Sequence, residues 1–403
     1  MPKGGIDSGY AWARLGASVL LSVAGGVGMW SLVVVLPVVQ KDLGISRADI
    51  SFAYTMNTLG FCAGGMLMGR LVDRKGIVPT AILSVVLMAA GFAGAAYAPT
   101  LGLFAAAQAL LGFGCSATFA PLVADISHWF EKRRGVAMGI ASSGNYIAGT
   151  IWPPLIDVAT RDHGWRDTFL VIAGLALLVM IPLALFLRRP PPFHSEPASA
   201  VEAAPVRSVG LPPNTLQAIL AVAGIACCVA MSMPQVHIVA YCTDLGYGTA
   251  PGATMLSLMF GFGVVSRIGS GWIADRVGGV VTMLLGSVLQ TIALVFYLAS
   301  DSVTSLYIIS ALFGLFQGGL VPSYALIMRE NSRPQEAGMR VGIAVSVTLI
   351  GMALGGWMGG VLFDATSSYR AAFLNGIAWN VITVLIGWWL LARQGRRTGA
   401  AVA

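Results

Sequence analysis

The sequence predicts an all-α membrane protein with twelve transmembrane helices in two pseudo-symmetric halves of six. Three observations carry this. Of the 403 residues, 57% are hydrophobic and only 10% charged, whereas a soluble domain carries about 25% charged residues. Apolar stretches of about 20 residues, the length a helix needs to cross a bilayer, recur twelve times. The pattern of the first six stretches returns in the last six.

Residues 1–13 form a short polar lead. The first apolar run starts at Leu15. It is too long for a signal peptide and has no small-residue cleavage site after it, so it reads as a retained span. The apolar stretches lie near 14–36, 50–70, 78–98, 102–124, 136–156 and 168–187, then 215–240, 251–274, 279–299, 303–327, 341–362 and 371–392. Between the halves, residues 188–214 are rich in Pro, Ala, Ser and charge. Such a stretch cannot bury a core and reads as a cytoplasmic linker. The expected domains are therefore 1–187, a six-helix bundle, and 215–403, a second one.

Basic residues set the expected orientation, because cytoplasmic loops collect Lys and Arg. With both termini in the cytoplasm, eighteen of the 24 basic residues fall on that side and five outside, leaving Arg267 within a span. The net charge of +7 is thus spread over helix ends. It forms no single patch or stripe, so nucleic acid is excluded as a partner. The five cysteines lie in or beside apolar runs without metal-ligand spacing and read as small buried hydrophobes. Gly65-x-x-x-Gly69, Gly355-x-x-x-Gly359 and Gly356-x-x-x-Gly360 are spaced for close helix approach and read as packing seams.

The internal repeat is explicit. Gly69-Arg-Leu-Val-Asp73-Arg74-Lys-Gly76 returns as Gly271-Trp-Ile-Ala-Asp275-Arg276-Val-Gly278, and Gly144, Gly149 and Asp157 return as Gly351, Gly356 and Asp364. Repeated six-span halves are the mark of a transporter that rocks around a midplane site.

Arg267 is the ionisable residue that stands out. From Met255 to Ile273 it is the only one. It lies eight residues inside Asp275, about 12 Å along a helix, near the middle of a hydrocarbon core about 30 Å thick. A charge there costs at least about 2.5 kcal/mol and marks a functional site by default. Gly263, Ser270 and Gly271, one turn away on either side, are small and predict open space beside the guanidinium. A guanidinium with room around it suits a carboxylate, held by two parallel hydrogen bonds. The alternative is an arginine that ties helix ends together.

The pattern Gly-x-x-x-Asp-Arg-x-Gly, placed after span 2 and echoed after span 8, resembles that of the major facilitator superfamily. Two further segments narrow the resemblance to the monocarboxylate transporters and the related bacterial oxalate/formate-type carriers. Asp7-Ser8-Gly9-Tyr10-Ala11-Trp12 resembles that family's acidic, glycine and aromatic opening. Trp129-Phe130-Glu131-Lys132-Arg133-Arg134-Gly135-Val136-Ala137-Met138-Gly139 resembles its signature leading into span 5. The resemblance implies the major facilitator fold and a carboxylate-binding arginine in span 8, where Arg267 stands. The chain departs from the family in carrying Gly263 where animal proton-coupled members have an aspartate, and Trp30 where they have a lysine. It also lacks the second basic residue that the oxalate-type carriers place in span 11. One fixed positive charge is left, which favours a monoanion.

Other polar residues at membrane depth complete the candidate site. His237 lies about 10 Å inside Asp244 and titrates near neutral pH, so it is the candidate proton carrier; donation to a neighbouring helix is the alternative. Pro234 precedes it and Tyr241 lies one turn on. Asn145, Tyr146 and Trp152 share span 5, Asn375, Trp379 and Asn380 lie in span 12, and Gln108 and Gln317 take similar places in the two halves. Arg267, Tyr146, Gln317, Asn145 and Tyr241 are the expected substrate contacts. Asp73, Arg74, Asp275 and Arg276 are expected to gate the cytoplasmic side.

The expected function is secondary active transport of a small organic anion, a monocarboxylate, by alternating access, with protons as the candidate coupling ion. The protein is expected to work as a monomer in the lipid bilayer of a bacterial inner membrane, without cofactor or metal. The main rival is an exporter of lipophilic compounds. An enzyme would need a nucleophile–base set or metal cluster at membrane depth, and His128, His163, His194 and His237 are too scattered to supply one.

Overall fold

A computed structural model describes residues 5–190 and 209–400; most of the expected linker, 188–214, lies outside these. Within them the chain forms helices α1 Gly9–Gly25, α2 Val27–Leu43, α3 Arg47–Lys75, α4 Ile77–Ala96, α5 Leu101–Cys115, α6 Ala120–Ser127, α7 Arg134–His163 and α8 Trp165–Phe186. After the linker come α9 Pro213–Asp244, α10 Thr249–Val277, α11 Gly279–Ala299, α12 Val303–Gln317, α13 Leu320–Glu330, α14 Pro334–Thr366 and α15 Tyr369–Ala400. Three expected spans are broken in two: α1 with α2, α5 with α6, and α12 with α13. Counting each pair once, the described residues make twelve crossings. Ten are long and apolar enough for a membrane span; α3 and α7 are long enough but less apolar, with Asn57 and several threonines and glycines in α3 and Ser142, Ser143, Asn145, Pro153 and Pro154 in α7.

Local signals explain the helix limits. Ser8 caps α1 by accepting from the Ala11 amide, and Ser46 and Asp49 form a reciprocal capping box at α3, each satisfying donors that a helix start leaves over. α3 and α10 both stop at a glycine with positive φ, Gly76 at 85° and Gly278 at 88°, and the next helix starts at once. The final glycine of the repeated Gly-x-x-x-Asp-Arg-x-Gly pattern is therefore required by backbone conformation.

The chain divides into two compact units, Met1–Ser195 with Ile238–Phe260, and Glu196–His237 with Gly261–Ala403. In the first, α3 packs on α5, and α4 on α5 and α8. Its tightest seam differs from the expected one. Gly65 and Gly69 face open space, whereas Gly64 of α3 lies against the Phe113 carbonyl, and Gly60 and Gly112 press on the backbones of Ala109 and Asn57. The spacing of Gly65 and Gly69 allows a seam, but they lie on the wrong face of the helix. In the second unit, α11 packs on α12, α13 and α15, and α14 on α13 and α15. Here the expected seam forms: Gly355 and Gly359 lie against Ser232 and His237 of α9.

The two segments that resemble the family signatures meet in the first unit. Ala11 and Leu15 share a buried cluster with Ile126, Trp129, Phe130, Ala137 and Ala141. The Asp7 amide donates to the Trp129 carbonyl at 3.0 Å, and Asp7 Oδ2 accepts from the Lys132 amide at 3.1 Å.

Candidate functional site

The expected site residues divide between the units, with His237, Arg267 and Gln317 in the second and Asn145, Tyr146 and Tyr241 in the first. In the second unit, α10 presents Gly263, Ser266 and Ser270 to the break between α12 and α13. A Cβ on Gly318 would lie 2.5 Å from the Gly263 carbonyl oxygen and 2.7 Å from Ser266 Cβ, and one on Gly319 would overlap Ser270. Only glycine permits this approach. The small residues beside Arg267 are therefore largely filled by helix packing; Gly271 alone retains the expected open space. Arg267 itself is partly buried, and its carbonyl accepts from Ser270 Oγ at 3.1 Å.

The same contact brings in Gln317, the last residue of α12, whose neighbour Gly318 touches Ser266 next to Arg267. Gln317 is fully buried, and its Oε1 accepts from Gln235 Nε2 at 2.9 Å. Gln235 is a polar residue that sequence reasoning passed over between Pro234 and His237, although an amide at that depth was itself a signal. His237 is also fully buried; its Nε2 donates to the Gly356 carbonyl of α14 at 2.9 Å, and its ring lies 5.6 Å from that of Tyr369. The interhelical bond considered as the alternative for His237 is present. It uses Nε2–H, which neutral and charged imidazole can both supply.

In the first unit, Tyr146 is buried edge-on against Phe260, ring centroids 5.5 Å apart, and Phe260 lies 4.1 Å from Trp30. Gly149 gives Phe260 its room. Asn145 sits beside Gly26, at the bend between α1 and α2, and Trp152 Nε1 donates to the Val23 carbonyl at 2.7 Å. Both thus face the first span. Tyr241 is buried in the last turn of α9. Asn57 Nδ2 donates both to the Gly28 carbonyl at 3.1 Å and to Gln108 Oε1 at 3.0 Å.

The four expected gating residues, Asp73, Arg74, Asp275 and Arg276, are solvent-exposed at helix ends. The Arg276 guanidinium stacks over Trp272 at 3.4 Å. Two other arginines are more deeply buried than Arg267. Arg14, counted from the sequence as a cytoplasmic charge, is fully buried and grips Asp125 by two bonds of 2.8 Å. Its Nη1 donates to the Leu187 and Arg189 carbonyls at 2.9 and 3.1 Å. Arg47 is 4% exposed and binds Asp244 at 3.1 Å. Arg267 is therefore less enclosed than Arg14 and Arg47. Arg14 and Arg47 are paired with Asp125 and Asp244.

A family model described as Major Facilitator Superfamily matches residues 19–299 and 270–402. Monocarboxylate transporter 13 of Bos taurus is 28% identical over 335 residues, 82% of this chain and 75% of that protein. The agnestins efflux protein AgnL12 of Paecilomyces divaricatus is 26% identical over 365 residues, 89% and 81% of the two chains. Among solved structures, a bacterial homologue of the human lysosomal transporter Spinster superposes with a TM-score of 0.73 at 15% identity, over 96% of this chain and 98% of that one; the likeness is one of fold.

Proposed function

Because the chain belongs to the Major Facilitator Superfamily, and is a multi-pass membrane transporter on that ground, we propose that its cargo is a small organic anion, a monocarboxylate, moved by alternating access. The observation that carries this reading is Arg267: a partly buried arginine in the middle of an apolar helix, on the segment of α10 that packs against the Gly318–Gly319 break. A carboxylate would take two charge-assisted bonds from such a guanidinium, and a single fixed charge selects a monoanion over a dianion. The similarity to monocarboxylate transporter 13 supports the same class. The similarity to an efflux protein supports the second reading, export of a lipophilic compound, for which Arg267 has no evident use. Protons are the proposed coupling ion, with His237 as their carrier.

Uptake of a panel of labelled carboxylates into proteoliposomes at two pH values tests this. Charge-assisted bonds are worth about 1.5–3 kcal/mol each, so Arg267→Gln should weaken binding roughly tenfold to several hundredfold. Arg267→Lys should fail too, because an ammonium lacks the bidentate fork. His237→Gln should abolish pH-driven accumulation and keep exchange down a gradient. Wild-type affinity in a well-folded Arg267 variant overturns the monocarboxylate reading, and unchanged pH dependence in His237→Gln removes that residue from coupling.

A further inference from the structure

An amide side chain has one end that accepts hydrogen bonds and one that donates them. In Gln317 the accepting end is taken by Gln235 Nε2. Its donating end, Nε2, is buried and makes no hydrogen bond to any described residue. A buried donor is normally paired, so this one is poised for an acceptor. The first unit holds the same arrangement. Gln108, at the corresponding place, has its Oε1 taken by Asn57 Nδ2, and its Nε2 is likewise buried and unbonded among the described residues. There the polarity is dictated by chemistry, because Asn57 Nδ2 also serves the Gly28 carbonyl, which can only accept. In both units a neighbouring amide holds the glutamine oxygen and leaves the nitrogen buried with its hydrogens unpaired among the described residues.

We propose that Gln235 is a positioning residue for substrate selection: by holding Gln317 Oε1 it leaves only N–H for a ligand reaching the contact next to Arg267, so that the site takes a carboxylate and discriminates against the carboxamide of the same shape. A carboxylate accepts at both oxygens, whereas a carboxamide accepts at one end only and turns donors toward the other, so it cannot accept from both arms of the Arg267 fork and from Gln317 together. This rests on Arg267 binding the carboxylate, and it adds a second filter that acts without charge.

The test is calorimetric binding to the purified full chain, with propionate against propionamide and lactate against lactamide as probe pairs. Gln235→Met keeps length and charge and removes the bond, which frees Gln317 to turn. The preference for acid over amide should fall about five- to tenfold. In a Gln317→Met background the same change should do nothing further, since Gln235 acts through Gln317. Gln235→Asn, one methylene shorter, should reproduce the loss of preference if Gln235→Met does not fold. An unmoved acid-to-amide ratio in a folded Gln235 variant, or a Gln235 effect that persists without Gln317, overturns the inference and leaves the transport reading intact. A wild-type chain that binds neither acid, or an Arg267→Lys variant that binds as wild type, overturns the transport reading and this inference with it.

Discussion

Arg14 is fully enclosed by its own unit. It makes two bonds to Asp125, two to the carbonyls of Leu187 and Arg189 and a longer one to Tyr10 Oη, and the face of Trp129 lies 4.6 Å from the guanidinium. A charge taken out of water needs that degree of compensation. Removing one partner of such a buried pair typically costs about 3–5 kcal/mol. Asp125→Asn should therefore lower the melting temperature sharply in detergent, whereas Arg14→Met with Asp125→Leu should be the milder change. Thermal unfolding of the three proteins decides it; equal stability of Asp125→Asn and wild type would show that the pair holds little. The residue types at Arg14 and Asp125 were visible in the sequence, but their pairing was not, because 111 residues separate them. The same holds for Gln235 and Gln317, 82 residues apart. Arg267 was legible because its signal is local, a lone charge in an apolar run.

At the scale of elements, the breaks in the helices matter as much as the helices. The first span bends at Gly26, with Gly25 lying against Thr118 where the fourth span is itself interrupted. In the second unit, α10 presses into the Gly318–Gly319 break. Neither place has room for a Cβ, and forcing extra atoms into a tight core costs about 1–3 kcal/mol. Gly319→Ala should lower stability by that order, and adding Ser270→Gly should restore much of it, because Ser270 is the side chain in the way. If the two changes simply add, α10 and the break do not touch as described. Helix existence was legible from hydropathy; the repeated motif was visible too, but α3 and α10 run on through it, past the expected ends at 70 and 274, to Gly76 and Gly278. The interruptions were not legible: a glycine pair in an apolar run reads equally well as a seam, and Gly65 with Gly69 shows that spacing alone does not say which face meets a neighbour.

For the whole molecule, the distribution of charge gives the proposed orientation, with both termini and the linker in the cytoplasm. All five cysteines are buried, so an impermeant reagent is expected to report on a cysteine introduced at the surface rather than on the native thiols. A cysteine placed at Ser199 should resist impermeant reagents added to intact cells, and one at Ser302 should react. Labelling of position 199 from outside would reverse the orientation. The joined signature segments carry a different consequence, one of timing. Arg14 is made long before Asp125, and at about 5–20 residues per second of synthesis it waits roughly 6–22 s for its carboxylate. Leu15 and Ala11 wait as long for Trp129 and Phe130. α1 thus settles only after α6 has been made, and until then the insertion machinery must tolerate a span with an unanswered charge at its edge.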